Sequence, residues 1–216
     1  MEFNLENKRA KNRCETILED ALYLFLKKGY ANTSLNDIVE KSGGSLATIY
    51  KYFENKEGLF KAIVLKAISK FKDDLEKNIS VSSNLNIEEF LFKFSELYLA
   101  LILSPKSIAL HRLILSEGFN MENHNIGKLF ADECSKFLNE YLIDFLKSCK
   151  KTENLNIEDI SKFANIYLFA IKEPFFYSSL INLKEVKLTQ TDKKAHIDKT
   201  IKMLLYGFLV SFANNF

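Results

Sequence analysis

The stretch that constrains this chain most is "EKSGGSLATIYKYFENKEGLF", residues 40–60, where a helical pattern is cut by Gly43 and Gly44 and then restarts twice. Upstream, Ile17, Ala21, Leu24 and Phe25 follow helical spacing and predict a helix from Cys14 to Lys28. It stops at "KKGY", where two lysines suit the negative helix end and Gly29 can take the left-handed cap. Ser34 and Asp37 then stand at S-x-x-D spacing, a capping-box start for "LNDIVEKS" that satisfies free backbone N–H groups. The glycines end that helix after about eight residues, Ser45 caps the short "LATIYKYF", and a longer helix opens after "ENK".

Two short helices joined by a tight turn read as a helix-turn-helix, whose second helix enters the DNA major groove. Leu35, Ile38, Val39, Ile49 and Phe53 are the apolar positions that hold the pair on a core. The opposite flank offers Ser45, Ala47, Thr48, Lys51 and Tyr52, small enough for close approach, with a threonine methyl for thymine and hydroxyls for phosphates. Lys56, at the start of the next helix, reads either as a phosphate clamp beside free N–H groups or as a solvated lysine. Bulk charge does not help: the formal net charge is +2, and residues 1–60 carry nine basic and nine acidic residues. One cluster stands out, Lys8, Arg9, Lys11 and Arg13 in "NKRAKNR", and two readings stay open for it, a basic arm on phosphates or a solvated, frayed helix start.

The rest of the chain is helical and aromatic. Apolar residues recur at helical spacing, only two prolines and seven glycines interrupt 216 residues, and no strand, repeat or low-complexity tract is evident. The expectation is an all-α protein of about nine helices. Residues 1–55 form a three-helix N-terminal domain, helix 56–80 links it onward, and 81–216 form a C-terminal domain. Pro174 should kink the helix that contains it, and the last helix should run from about 192 to 214. Cys14, Cys134 and Cys149 are widely spaced and read as buried thiols. "MEFNLENKRAKNR" lacks an apolar leader core and "MLLYGFLVSFA" is too short to span a bilayer, so a cytoplasmic protein without a membrane partner is expected. His111, His124 and His196 are scattered and no nucleophile, zinc or phosphate-loop motif occurs. The expectation is therefore no enzyme, no metal and no cofactor.

The frame "F..KGY..TS...I...SG.S..T.Y.YF..KE.LF" resembles the N-terminal domain of the tetracycline-repressor (TetR) family of bacterial regulators over roughly residues 11–65. The resemblance implies that Thr33, Ser34, Asn36, Ser45, Ala47, Thr48, Tyr50, Lys51, Tyr52 and Lys56 meet a double-stranded operator with an inverted repeat. Phosphates would fall mainly to Thr33, Ser45, Tyr50, Tyr52 and Lys56, and bases to Ala47, Thr48 and Lys51. Asn36 stands where arginine is frequent, Gly44 where a small branched residue is usual and Leu46 where a polar one is, which bears on the operator sequence rather than the binding mode. "SGGS", "KEGLF" and the later "KEPFFYSSLIN" are similar to the Cme-type multidrug-efflux repressors within the family.

By that resemblance the C-terminal half binds a small hydrophobic or anionic effector and forms a homodimer. The aromatics of residues 86–181 read either as core packing or as the wall of an apolar pocket. The pocket set is Tyr98, Ile102, Phe137, Tyr141, Leu168, Phe169, Lys172, Phe176 and Tyr177. Lys172 either pairs with Glu173 or reaches water, or it holds an anionic head group, as the likeness to efflux repressors implies. The stripe Ile201, Leu205, Phe208 and Phe212 suits a two-fold helix bundle, although it also suits the protein's own core. The reading is a repressor of a multidrug-efflux or related operon. The alternatives are an activator or repressor of other genes without an effector, and a helical interaction protein that does not bind DNA.

Overall fold

The computed structural model describes residues 8–79, 85–118, 124–152, 155–173, 175–181 and 188–213, with the side chains of 118, 124, 125 and 211–213 set aside. Ten α-helices and one 3-10 turn make up the described residues, and no strand occurs among them. They are α1 Lys8–Lys28, α2 Leu35–Ser42, α3 Leu46–Phe53, α4 Lys56–Asn78, α5 Ile87–Ile102, α6 Pro105–Gly118, α7 His124–Ser148, α8 Ile157–Lys172, α9 Phe175–Ile181 and α10 Gln190–Ala213. The expected all-α class thus holds.

Helix ends follow local chemistry. Ser34 and Asp37 make the reciprocal capping box of α2, and Asn86 with Glu89 does the same for α5. Asn156 caps α8 by accepting from the Asp159 amide at 2.9 Å. The Ser104 hydroxyl accepts from the Ser107 amide at 3.2 Å, and Pro105 follows at the first helical position, where no N–H is needed. Around Pro174 the expectation was a kinked helix; the chain instead forms two, α8 and α9. Glu173, which precedes the proline, is extended at φ −86 and ψ 146, as steric crowding by a following proline ring demands. Pro174 itself lies outside the described residues.

The chain divides into two compact units, Met1–Lys70 with Ala109–Ser135, and Phe71–Ile108 with Lys136–Phe216. The break after Lys70 falls within helix 56–80, and the first unit also takes in residues 109–135. Leu110, Leu113, Ile114 and Ile126 join the core of the first unit, a connection that no local pattern announces. In that core Phe25, Tyr30 and Phe60 meet edge to face or tilted, with ring centroids 5.1 to 6.1 Å apart. Each such ring contributes about 1.5–3 kcal/mol by leaving water. α1 packs on α2, and α2 on α3.

In the second unit α10 packs on α5 and α8 around a second apolar core. Tyr167 is fully buried there, and its hydroxyl lies 2.7 Å from the Ser95 hydroxyl and donates to the Leu91 carbonyl at 3.2 Å. Burial holds that phenol well above its ordinary pKa.

The two glycines of the turn are not equivalent. Gly43 sits at φ 67, in the left-handed region, and its N–H caps α2 by bonding the Val39 carbonyl. A Cβ on Gly44 would meet only ordinary contacts, 3.5 Å from the Ser42 hydroxyl and 3.8 Å from Ile17. Gly43→Ala should therefore lower unfolding free energy by about 1–2 kcal/mol, and Gly44→Ala should leave it nearly unchanged. Urea denaturation of the two variants checks this; equal losses would contradict it.

Candidate nucleic-acid interface

α3 owes its orientation to two apolar anchors. Ile49 and Phe53 are buried in the first unit's core, and Tyr50 and Lys51 between them turn outward. Ser45 begins the helix: its hydroxyl accepts from the Thr48 amide at 3.2 Å and lies 3.0 Å from the Thr48 hydroxyl. Ala47, Tyr50 and Lys51 are exposed, while Thr48 and Tyr52 are half-buried. The Lys51 ammonium stands 5.2 Å from the centre of the Tyr52 ring. Leu46, where a polar residue is usual in such frames, is about one-third exposed.

The flank of α3 faces an open groove of about 380 Å³. Ala47, Thr48, Lys51 and Tyr52 form one wall, and Arg9, Ala10 and Arg13 of α1 form the other. The basic cluster at the N-terminus is thus the first turns of α1, which runs helical from Lys8. Arg13 also donates from Nη1 to the Ser42 carbonyl at 2.8 Å, tying α1 to the end of α2.

At the start of α2, Ser34 and Asn36 are exposed. Ser34 donates from its hydroxyl to Asp37 at 2.6 Å, and Lys28 reaches the same carboxylate at 2.7 Å, joining the end of α1 to α2. The Lys28 bond, with the two from Ser34, holds the Asp37 carboxyl well below the usual carboxylate range.

Two predicted phosphate contacts are corrected. Thr33 is buried, and its hydroxyl donates to the Gly29 carbonyl at 2.8 Å and the Leu24 carbonyl at 3.3 Å. It is a peg that closes the α1–α2 turn. The Lys56 ammonium is occupied by the protein's own backbone rather than left to solvent. It donates to the carbonyls of Tyr30 at 2.9 Å, Ala31 at 3.4 Å and Thr33 at 2.9 Å, and it lies 4.5 Å from the Tyr30 ring centre. An ammonium has three N–H donors, and all are used here. Burial pulls the Lys56 pKa below its ordinary value, against the opposing pull of Glu117.

Glu117 is the residue that sequence reasoning missed. It is buried near the end of α6, and its Oε1 accepts from the Ala31 amide at 3.1 Å, on the same turn that Lys56 holds. Its signal was present: an acid in the last turn of an apolar helix, where the helix dipole disfavours it. Burial, with Glu57 and Glu117 adding, pushes the Tyr30 phenol up to about 12.

In the second unit the expected pocket residues fall into two groups. Tyr98, Phe137 and Tyr141 join Phe90, Phe94 and Phe71 in a chain of rings about 6 Å apart, the core-packing reading of these aromatics. Ile102, Leu168 and Phe176 are buried in the same core. Phe169 and Tyr177 are corrected: they are 62% and 60% exposed and do not face inward. The inward stripe of α8 is Phe163, Ala164, Tyr167, Leu168 and Ile171, and position 169 falls on the opposite side. Lys172 is held between aromatic faces, 5.3 Å from the Phe169 ring centre and 4.9 Å from that of Phe176.

The expected dimer stripe is corrected too. Ile201 and Leu205 are buried in the protomer's own core, and the half-buried Phe208 lies tilted against Phe163 with ring centroids 4.6 Å apart. The Phe212 side chain lies outside the described residues. A different stripe of α10 is exposed, Met203, Tyr206 and Val210. No single helix among the described residues is long and apolar enough to cross a membrane.

Capped short helices, a left-handed glycine turn and an outward polar flank on the second helix define a helix-turn-helix transcriptional regulator. A family model for tetR-family bacterial regulatory proteins matches residues 17–63. A second, for the C-terminal domain of AefR-like transcriptional repressors, matches residues 89–208. The chain belongs to the tetR family. Over 57 residues it is 44% identical to the transcriptional repressor ComR of Escherichia coli, covering 26% of this chain and 27% of that one. Over 81 residues it is 32% identical to IcaR of Staphylococcus epidermidis, a negative regulator of the biofilm operon icaADBC, covering 37% and 44%. These alignments therefore span less than half the length of either relative. Among solved structures the flavonoid-responsive regulator FrrA aligns with a TM-score of 0.75 at 25% identity, over 91% of this chain and 97% of that one.

Because three carbonyls of the α1–α2 turn accept from one ammonium, Lys56→Met should lower unfolding free energy by about 1–3 kcal/mol. It should leave the salt dependence of any DNA binding unchanged. Urea denaturation and binding titrations at several salt concentrations read both. A stable variant with a shallower salt slope would restore the phosphate reading.

Proposed function

We propose that the chain is a homodimeric repressor that binds an inverted-repeat DNA operator and is released from it by a small hydrophobic or anionic effector. The observation that carries this reading is the exposed flank of α3, where Ser45, Ala47, Thr48 and Lys51 stand on a helix anchored only from behind. Small side chains there permit close approach to base edges, and Thr48 and Lys51 supply a methyl, a hydroxyl and a cation for readout. Ser34, Asn36, Tyr50 and Tyr52 are the flanking contacts to backbone.

The repressor assignment follows the relatives, since ComR is a repressor and IcaR a negative regulator. Dimerisation is assigned to the exposed stripe Met203, Tyr206 and Val210 of α10, together with the exposed Ile166 and Phe169 of α8, the helix it packs on. Large apolar side chains left in water on two packed helices favour a second copy as their cover. For the effector, the support is the cation of Lys172 among aromatic rings and the flavonoid response of FrrA. Control of an efflux operon rests on the sequence likeness of "SGGS", "KEGLF" and "KEPFFYSSLIN". No catalytic role is assigned to any residue.

The test is selection of binding sites from random duplex DNA by the full chain. The expected outcome is a palindrome whose half-sites lie one helical turn apart, about 34–36 Å. Thr48→Ala should then lose discrimination at particular base pairs, by about 1–3 kcal/mol each. Enrichment of no sequence would overturn the reading, and a single unpaired half-site would overturn the dimer.

A further inference from the structure

Two residues, Glu54 and Asn55, are all that separates α3 from α4. Both helices are pinned close to that junction, α3 by the buried Ile49 and Phe53 and α4 by the buried Leu59 and Phe60. The chain therefore has to turn in a short, fixed space, and Glu54 takes the strain. It stands at φ 67 and ψ −51, and across it the Asn55 amide donates to the Phe53 carbonyl at 2.7 Å. That is a γ-turn of the positive-φ kind, which is rare and strained for a residue with a Cβ. Among the described residues no other non-glycine has a positive φ. Such strain persists only where the surroundings over-determine it.

Gly58, in the first turn of α4, is the counterpart. Its φ is not positive, so glycine is not needed there for conformational range. It is needed for space: a Cβ would run into the Phe53 carbonyl oxygen and stand 3.2 Å from the carbonyl carbon. That carbonyl also closes the γ-turn, so the end of α3 rests against the backbone of α4. Hydrogen bonds divide the junction between the two helices. The Glu54 amide donates back to the Tyr50 carbonyl at 3.1 Å and belongs to α3. Asn55 belongs to α4: its side-chain oxygen accepts from the Gly58 amide at 2.8 Å, and its carbonyl from the Leu59 amide at 3.0 Å. The backbone of Glu54 is thus the pivot between them.

We propose that Glu54 and Gly58 are positioning residues that preset the angle of α3 before a duplex arrives, an inference that rests on the DNA-binding role proposed for α3. The residue types run against what stability alone favours. Glycine would relax at position 54, and most residues would extend α4 better than glycine does at position 58. Together they make a stiff pivot with a hard stop. A residue with a Cβ has a narrow basin at φ 67, and the Phe53 carbonyl cannot approach α4 beyond backbone contact. A helix held in one setting has less freedom to lose on binding, so the stiffness favours affinity. Neither residue needs to touch the duplex.

The test compares full-chain Glu54→Gly with Glu54→Ala on a site selected from random DNA. Both variants remove the same charge, and the Glu54 side chain is exposed, so neither empties the core. Only the glycine frees the pivot. Glu54→Gly should melt at a higher temperature than Glu54→Ala, because the Cβ strain is gone. It should nevertheless bind about two- to fivefold more weakly, the ratio that glycine's extra backbone freedom implies. A merely structural role would move melting and binding in the same direction. Gly58→Ala should melt lower than the wild type, and adding Glu54→Gly should recover part of that loss as α3 withdraws from the new methyl. Equal or tighter binding by Glu54→Gly overturns the proposal, and so does strict additivity of the two melting shifts. A wild-type chain that selects no site would instead remove the DNA reading on which the role depends.

Discussion

α2 and α3 have eight residues each, too short to be stable helices in water without partners. Everything the N-terminal unit presents outward depends on how these two short rods are fixed from behind. Ile38, Ile49 and Phe53 fix them by burial, and the ring cluster of Phe25, Tyr30 and Phe60 supplies the wall they lean on. Hydrogen bonds then set the angle: Gly43 in its left-handed cap, Arg13 on the Ser42 carbonyl, and the Lys28–Asp37 pair at the start of α2.

The turn before α2 is held by charge as well as by the buried Tyr30 ring. Lys56 collects carbonyls from one side and Glu117 takes an amide from the other, so a four-residue turn is gripped by a cation of α4 and an anion of α6. Such half-buried charges are costly to strand, so each is informative about structure before it is informative about ligands. The same logic applies to Lys172, whose cation rests on two rings in the second unit.

What the sequence made legible was local chemistry. The S-x-x-D box, the "KKG" stop and the span of α3 from Leu46 to Phe53 all follow from side chains within four residues of the backbone groups they serve. Long-range partners were not legible. Nothing near Lys56 in the chain says that its ammonium will meet carbonyls some 25 positions earlier, or that Glu117 will arrive beside them. On α10 two adjacent apolar stripes compete for the core, and periodicity cannot say which one wins; Ile201 and Leu205 did. Glu54 ends α3 at φ 67, an unfavourable conformation for a residue with a Cβ, and no residue type signalled it.

α3 is anchored from behind and open in front, so a duplex can meet its flank without rearranging the core. Hydrogen–deuterium exchange of the full chain with and without a selected operator measures this most directly. Slower exchange is expected on binding at the amides of Ser34–Asp37 and Ser45–Tyr52, with the buried stretches of α8 and α10 unaltered. Unchanged exchange across Ser45–Tyr52 in a chain that binds the duplex would contradict it.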